Sequence, residues 1–263
     1  MFSQSFMAEI RPYAGLPSMR LGSRFDGGYV LPMVVIENAK RLISYGYGNN
    51  YDFEKDFLKI NSSNNCSLYD GSIDGKRLFA RFVKYLAFQS PKTKSFPRYL
   101  LLDIIRYARM KLSRRITYYS KYVTPGPTNL PKAISALQTF ETVSDESEFI
   151  VKIDVEGAEY EILKSVLNYL DSISCLIVEF HQVDEHTNSF LYLISQLKKD
   201  FFISNIHFNN YSGTPGPVPK TIEAVFVSKR YFTSLLYPSK EIPSELDSPC
   251  KPSRPEISYT YED

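Results

Sequence analysis

The segment Phe149-Ile150-Val151-Lys152-Ile153-Asp154-Val155, continuing directly into Glu156-Gly157-Ala158-Glu159-Tyr160-Glu161-Ile162-Leu163, decides the fold. Its first half is a short, almost wholly apolar run, the signature of a strand covered on both faces. Its second half starts a helix, so acids stand at a strand-to-helix junction. The same order recurs on both sides of this segment. Arg41-Leu42-Ile43-Ser44-Tyr45 reads as a strand, Gly46-Tyr47-Gly48-Asn49-Asn50 as a glycine turn, and Tyr51 to Leu58 has helical spacing. Further strands are predicted over 66–70, 116–119, 174–181, 202–207 and 222–228, with helices over 134–140 and 190–197. Strands alternating with helices predict an α/β fold, a doubly wound parallel sheet with helices on both faces.

The chain has 263 residues, 43% of them hydrophobic and 23% charged, which supplies a full core and excludes a disordered protein. Residues 1–232 read as one domain. Residues 233–263, rich in Pro and Ser, are expected to form a loose tail on its surface. The formal charge of +2 hides an uneven distribution: Lys76 to Arg115 holds twelve basic residues and one acid, Asp103, so this stretch carries +11 and the remainder −9. Leu78, Phe79, Phe82, Val83 and Leu86, then Leu100, Leu101, Ile104, Ile105 and Ala108, recur at three-to-four spacing. They predict two amphipathic helices joined near Pro91 to Pro97, inserted after the second core strand. Cys66, Cys175 and Cys250 form no CxxC pair and no disulfide framework, which points to a reducing compartment. There is no eighteen-residue apolar run and no signal-peptide pattern, so a cytoplasmic location is expected, with any membrane contact peripheral.

In an open α/β sheet, ligands bind beyond the carboxyl ends of the strands, where strand order reverses. Polar residues gather at those ends. Gly46 and Gly48 let the backbone approach a ligand closely, and Asp70, ending the second strand, suits the paired hydroxyls of a ribose. A dinucleotide fingerprint needs a third glycine where Tyr51 stands. A phosphate-free nucleoside such as S-adenosylmethionine is therefore favoured over NAD. Asp154, Glu156 and Glu159 place three carboxylates beside one loop, which is costly unless a cation meets them. The ordinary alternative is a helix start, where acids are favoured, and it weighs most for Glu159. Glu179 and His181 alternate at the end of the next strand, so they share a side of the sheet.

The runs KIDVEGAEYEIL (152–163), SYGYGNNYDFEKDF (44–57), ISCLIVEFH (173–181), HFNN (207–210) and IEAVFVSK (222–229), with the acid in SLYDGSID (67–74), resemble the FkbM-type methyltransferases. The resemblance covers about residues 20–230, and DVEGAE is its most specific part. It implies a Rossmann-like, mostly parallel seven-stranded sheet, S-adenosylmethionine as methyl donor, and O-methylation, often of sugars in polysaccharide, glycolipid or natural-product assembly. Carried over, Gly46, Gly48 and Asn50 would line the amino-acid end of the cofactor and Asp70 would hold its ribose. Asp154 and Glu156 would lie beside the methyl group and acceptor, and Asp26 and Gly28 of FDGGYV would close over the cofactor. The basic insertion is longer than a minimal connection and departs from the family's pattern.

Methyl transfer to a hydroxyl is an in-line displacement that must take a proton from a weakly acidic alcohol. His181 and His207 are the candidate bases, with Asp154 or Glu179 as orienting acids. Alternatively, Asp154, Glu156 or Glu179 with His181 would hold a divalent cation such as Mg²⁺. Asn209 and Asn210 offer amides to sugar hydroxyls, although an Asx turn explains them equally. For the basic insertion, Arg109 and Arg115 with their neighbours suit an anionic acceptor such as a nucleotide-linked sugar. Solvated helix faces and an anionic membrane surface are the other readings. An RNA methyltransferase, a small-metabolite methyltransferase and a non-catalytic binding protein remain as alternatives. Nucleic acid is disfavoured by the −9 outside the block, and homo-oligomers are left open.

Overall fold

The computed structural model describes residues 2–48, 50–60, 62–87, 96–143, 148–213 and 216–262. Its central sheet contains β1 (Arg41–Tyr45), β2 (Asn65–Tyr69), β3 (Ile116–Tyr119), β4 (Phe149–Ile153), β5 (Ile173–Phe180), β6 (Phe201–Phe208) and β7 (Ile222–Ser228). The spatial order is β3-β2-β1-β4-β5-β7-β6. The first five strands run parallel, and β7 is antiparallel to both β5 and β6. Strand order reverses between β1 and β4, the two strands whose sequences carry the glycine turn and the acidic turn. The Rossmann-like α/β class expected from the sequence is the one observed.

Helices α1 (Gln4–Glu9), α2 (Met33–Asn38), α3 (Asp52–Ile60), α4 (Gly75–Ala87), α5 (Phe96–Leu112), α6 (Ala136–Glu141), α7 (Glu159–Val166) and α8 (Thr187–Leu197) complete the scaffold. Alternate residues of each core strand serve two apolar layers. Val151, Val178 and Phe180 pack with Ile162, Phe190 and Ile194 on one face. Leu42, Ile150, Cys175 and Ile177 pack with Val35, Phe53 and Phe57 on the other. With both faces covered, β4 and β5 are buried along their whole length, and this explains why their sequences read as unbroken apolar runs.

Three expectations shift. The helix expected over 134–140 starts at Ala136, because Ser135 and Gln138 close a capping box there. The helix expected to start at Glu156 starts at Glu159, since Glu156 and Gly157 take positive φ of 54° and 106° in a turn. The C-terminal segment is not loose: Ile242, Cys250 and Tyr261 are buried, and Ile242 and Tyr261 join the core. Helices α4 and α5 occupy the basic insertion as expected, while their junction near Pro91 to Pro97 lies largely outside the described residues.

Candidate active site

A cavity of about 720 Å³ opens at the carboxyl ends of β1, β4 and β5. Its floor is main chain in close contact. Gly46 has φ of 85°, and a Cβ there would run into the carbonyl oxygen of Asp154, so β1 and β4 meet at a distance only glycine permits. Hydrogen bonds continue past the strand ends, from the Gly46 N–H to the Tyr69 carbonyl (3.0 Å) and from the Asp154 N–H to the Tyr45 carbonyl (3.1 Å). At Gly48, also at positive φ, a Cβ would meet nothing within 4 Å. That glycine faces open space.

Asp70 lines the cavity, and its carboxylate stitches the glycine turn together. One oxygen accepts from the N–H groups of Tyr47 (2.8 Å) and Gly48 (3.1 Å), the other from the N–H (2.7 Å) and hydroxyl (2.5 Å) of Ser72. Four donors match the roughly four lone-pair positions of a carboxylate. Only the Ser72 hydroxyl can rotate away to let a ribose hydroxyl in. Asn50 and Asp26 line the same region, as does Gly27; the buried Gly28 is one residue behind the wall, against Ser23 and Arg20.

The opposite wall is acidic. Asp154, Glu156, Glu179 and His181 all line it. Lys152, buried in β4, donates to the Gly46 carbonyl (3.3 Å) and to Asp154 (3.2 Å) and lies over the Tyr29 ring. Burial opposes its charge, but Asp154 and Glu54 outweigh that and raise its pKa. Glu54, in the first turn of α3, accepts from the Ser44 hydroxyl (2.6 Å) and leaves its second, buried oxygen without a partner. Burial pushes its carboxyl up. Glu179 accepts from the Asn209 amide (2.9 Å), and burial, with Asp154 and Glu223 nearby, raises its pKa well above the usual range.

His181 stands at the centre of this wall. Its Nδ1 is in short contact with the Glu159 carboxylate, which also accepts the His181 main-chain N–H (3.2 Å). Glu159 is fully buried. The other ring nitrogen, Nε2, lies 3.6 Å from both Glu156 and Glu179. Tyr160 fixes the turn by donating to the His181 carbonyl (2.8 Å). Burial opposes the imidazolium, but the Glu159 hydrogen bond and the charges of Glu179, Glu159 and Glu156 prevail and lift the pKa to about 9. Glu159, expected from the sequence to be a helix-start acid, takes the orienting place expected of Asp154 or Glu179. Its one available signal is its spacing from Ile162, Leu163 and Val166, the i, i+3, i+4, i+7 pattern of an inward helix face.

Other expected residues are not brought together here. His207 is buried away from the cavity, its Nδ1 2.7 Å from Glu223 and its Nε2 3.2 Å from Glu256. Asn210 donates to the carbonyls of Lys251, Arg254 and Pro255 and pins the C-terminal segment. Asn209 does line the cavity, and its side chain also forms the Asx turn to Tyr211 (2.9 Å). Arg115 is occupied by the carbonyls of Asn64 (2.8 Å) and Leu58 (2.7 Å), and Arg109 lies on an exposed face of α5. Neither arginine lines the cavity, whose lysines are Lys121 and Lys152.

The model of the methyltransferase FkbM domain matches residues 38–202, from the start of β1 to the start of β6. The chain belongs to the FkbM methyltransferase family. This FkbM methyltransferase has no match among curated protein sequences. Among solved structures it is similar to a fibrillarin pre-rRNA processing protein of Methanococcus jannaschii, at 10% identity over 73% of this chain and 68% of that one, with a TM-score of 0.39. It is also similar to spermidine synthase of Thermotoga maritima, at 13% identity over 75% of this chain and 56% of that one, with a TM-score of 0.41. Family membership makes the protein an S-adenosylmethionine-dependent methyltransferase, and its cavity fits that cofactor. The floor at Gly48 is open to a ligand, Glu54 presents an unpartnered buried oxygen, and the acidic wall suits a sulfonium cation.

Proposed function

We propose that this FkbM methyltransferase O-methylates a sugar hydroxyl, in a nucleotide-linked sugar or another polysaccharide precursor, with His181 as general base. The observation that carries the reading is the Glu159–His181 pair, which holds Nε2 toward the cavity from a fully buried acid. S-adenosylmethionine, when bound, supplies an electrophilic methyl group on a cationic sulfur. Gly46, Gly48, Asn50 and Asp70 would hold it, with Asp26 at the rim. With Nδ1–H held by Glu159, Nε2 is the nitrogen that takes the hydroxyl proton, and Glu159 stabilises the imidazolium that results. Asp154 and Glu156 disfavour an anionic group beside the reacting hydroxyl and favour a neutral polyol. The diphosphate of a nucleotide-linked sugar would therefore lie toward exposed Lys121 rather than Arg109 or Arg115. A screen of nucleotide-linked sugars with methyl-labelled S-adenosylmethionine tests this, with the labelled position mapped by NMR. Label on nitrogen or carbon would overturn O-methylation, and failure to bind the cofactor in calorimetry would overturn the enzyme reading.

A second reading rests on the same atoms. Donor atoms of Asp154, Glu179 and His181 lie within 4.8 Å of one another, close enough to hold a divalent cation. Two carboxylates and an imidazole suit manganese, iron or zinc better than magnesium, which prefers all-oxygen ligands. Metal analysis of the purified protein, with activity before and after chelation, separates the two. Full activity in metal-free protein retains the base.

A further inference from the structure

We propose that the α4–α5 hairpin docks this enzyme on an anionic lipid bilayer. The inference goes beyond the methyl-transfer reading and does not depend on which acceptor is used.

The hairpin has two apolar faces. One seats it on the protein: Leu78, Leu100 and Met110 are buried, and Tyr107 packs edge-on against Tyr118 of β3 with ring centroids 5.7 Å apart. The other face has no such partner among the described residues. Leu101, Ile105 and Leu112 follow i, i+4, i+11 spacing along α5 and are 45%, 37% and 82% exposed. Phe79 and Val83, one turn apart on α4, are 60% and 47% exposed. Single exposed apolar residues are ordinary, but aligned stripes on two packed helices mark a surface that something else covers.

Charge identifies the occupant. Lys76, Arg77, Arg81 and Lys84 on α4, with Arg106, Arg109, Lys111 and Arg114 on and just after α5, are all exposed. An apolar stripe flanked by Lys and Arg is the composition of helices that lie in the headgroup region of anionic membranes. A second copy of the chain would set this basic face against itself. RNA would pair with the cations but leave the aliphatic stripe in water, and the remainder of the chain carries −9. The cavity residues Gly71 and Ser72 lie within four residues of the start of α4, so docking would hold the cavity rim close to the bilayer.

Flotation of the full chain with vesicles of phosphatidylcholine alone, or mixed with phosphatidylglycerol, tests the proposal. Binding to the mixed vesicles only is expected, weakening as salt is raised. The triple variant Leu101→Ser, Ile105→Ser, Leu112→Ser and the charge variant Arg81→Glu, Lys84→Glu, Arg109→Glu should each lower partitioning about tenfold or more. Neither touches a buried residue, so thermal unfolding should stay unchanged and serves as the folding control. No preference for anionic vesicles, or binding unaffected by the serine variant, overturns the proposal. So does a dimer in light scattering that the serine variant dissolves, or tight RNA binding that it leaves intact.

Discussion

His181 and His207 stand at corresponding places, each near the carboxyl end of a strand and each against a buried glutamate, yet their surroundings make opposite use of the same pair. His181 has Glu159 behind Nδ1 and keeps Nε2 toward the cavity. His207 has Glu223 on one nitrogen and Glu256 on the other, with the Cys250 sulfur 3.8 Å away, and is buried. The two regions are joined by a rung of the sheet, for Glu179 of β5 pairs with Glu223 of β7, which pairs with His207 of β6. Like charges opposite one another on adjacent strands are unfavourable. Here each glutamate has its own partner, Glu179 the Asn209 amide and Glu223 the His207 ring. Of the two pairs, only the one at His181 keeps a ring nitrogen toward the cavity.

The strongest way to break this comparison is to replace the open histidine. His181→Gln should lower kcat roughly 10²–10⁴-fold, the usual contribution of a general base, and should also lower the melting temperature, because Glu159 stays buried behind the lost imidazole. Unchanged turnover would remove His181 from the chemistry. Replacing the closed histidine should cost stability without touching the chemistry. His207→Gln removes the imidazole from the buried Glu223, and denaturant unfolding should show a loss of about 3–5 kcal/mol, with turnover per folded molecule near that of the parent. A stable but inactive His207 variant would contradict the division of roles.

A pH series sharpens the contrast. The folded pKa of His181 is raised from 6.5 to about 9, so the folded state binds its proton more tightly than the unfolded state does. Its contribution to stability is therefore complete below about pH 6.5 and is lost as pH rises through 9. In the proposed role His181 acts only when deprotonated, so kcat/KM should climb across the same window and level off above about pH 9. Activity and stability should move in opposite directions, and in His181→Gln this part of the stability loss should disappear. The smallest effect concerns the acidic turn. Glu156 holds φ at 54°, a region that costs a non-glycine residue about 1 kcal/mol or more. Glu156→Gly should leave stability equal or up to about 1 kcal/mol higher, while removing one acid that faces His181. A clear loss of stability would show that the Glu156 side chain, rather than its backbone, supports the wall.

The strands were legible because each is an apolar run bounded by turn residues, and burial on both faces leaves no alternation to confuse the reading. The cavity was legible too, since Gly46, Gly48, Asp70, Asp154, Glu179 and His181 all fall at strand ends. Tertiary detail was not. The use of Asp70 to tie the glycine turn depends on Tyr47, Gly48 and Ser72 folding around it, which no local pattern encodes. Glu159 looks like any helix-start acid until α7 turns it inward against β5. The C-terminal segment looks loose by composition, but Asn210 gathers three of its carbonyls and Asp247 accepts from Asn205 and Ser244. Polar anchoring of this kind leaves no periodic signature.

The contact between Gly46 and Asp154 has a mechanical consequence. Because β1 and β4 touch main chain to main chain there, and hydrogen bonds carry the contact on to β2, the glycine turn and the first residue of the acidic turn form one stiff plate. Any closing motion over a ligand must come from the rim instead. The loop at Asp26 and Gly27, between the paired strands Ser18–Gly22 and Gly28–Pro32, is placed to provide it, since a Cβ added at Gly27 would meet the Asn50 amide across the mouth.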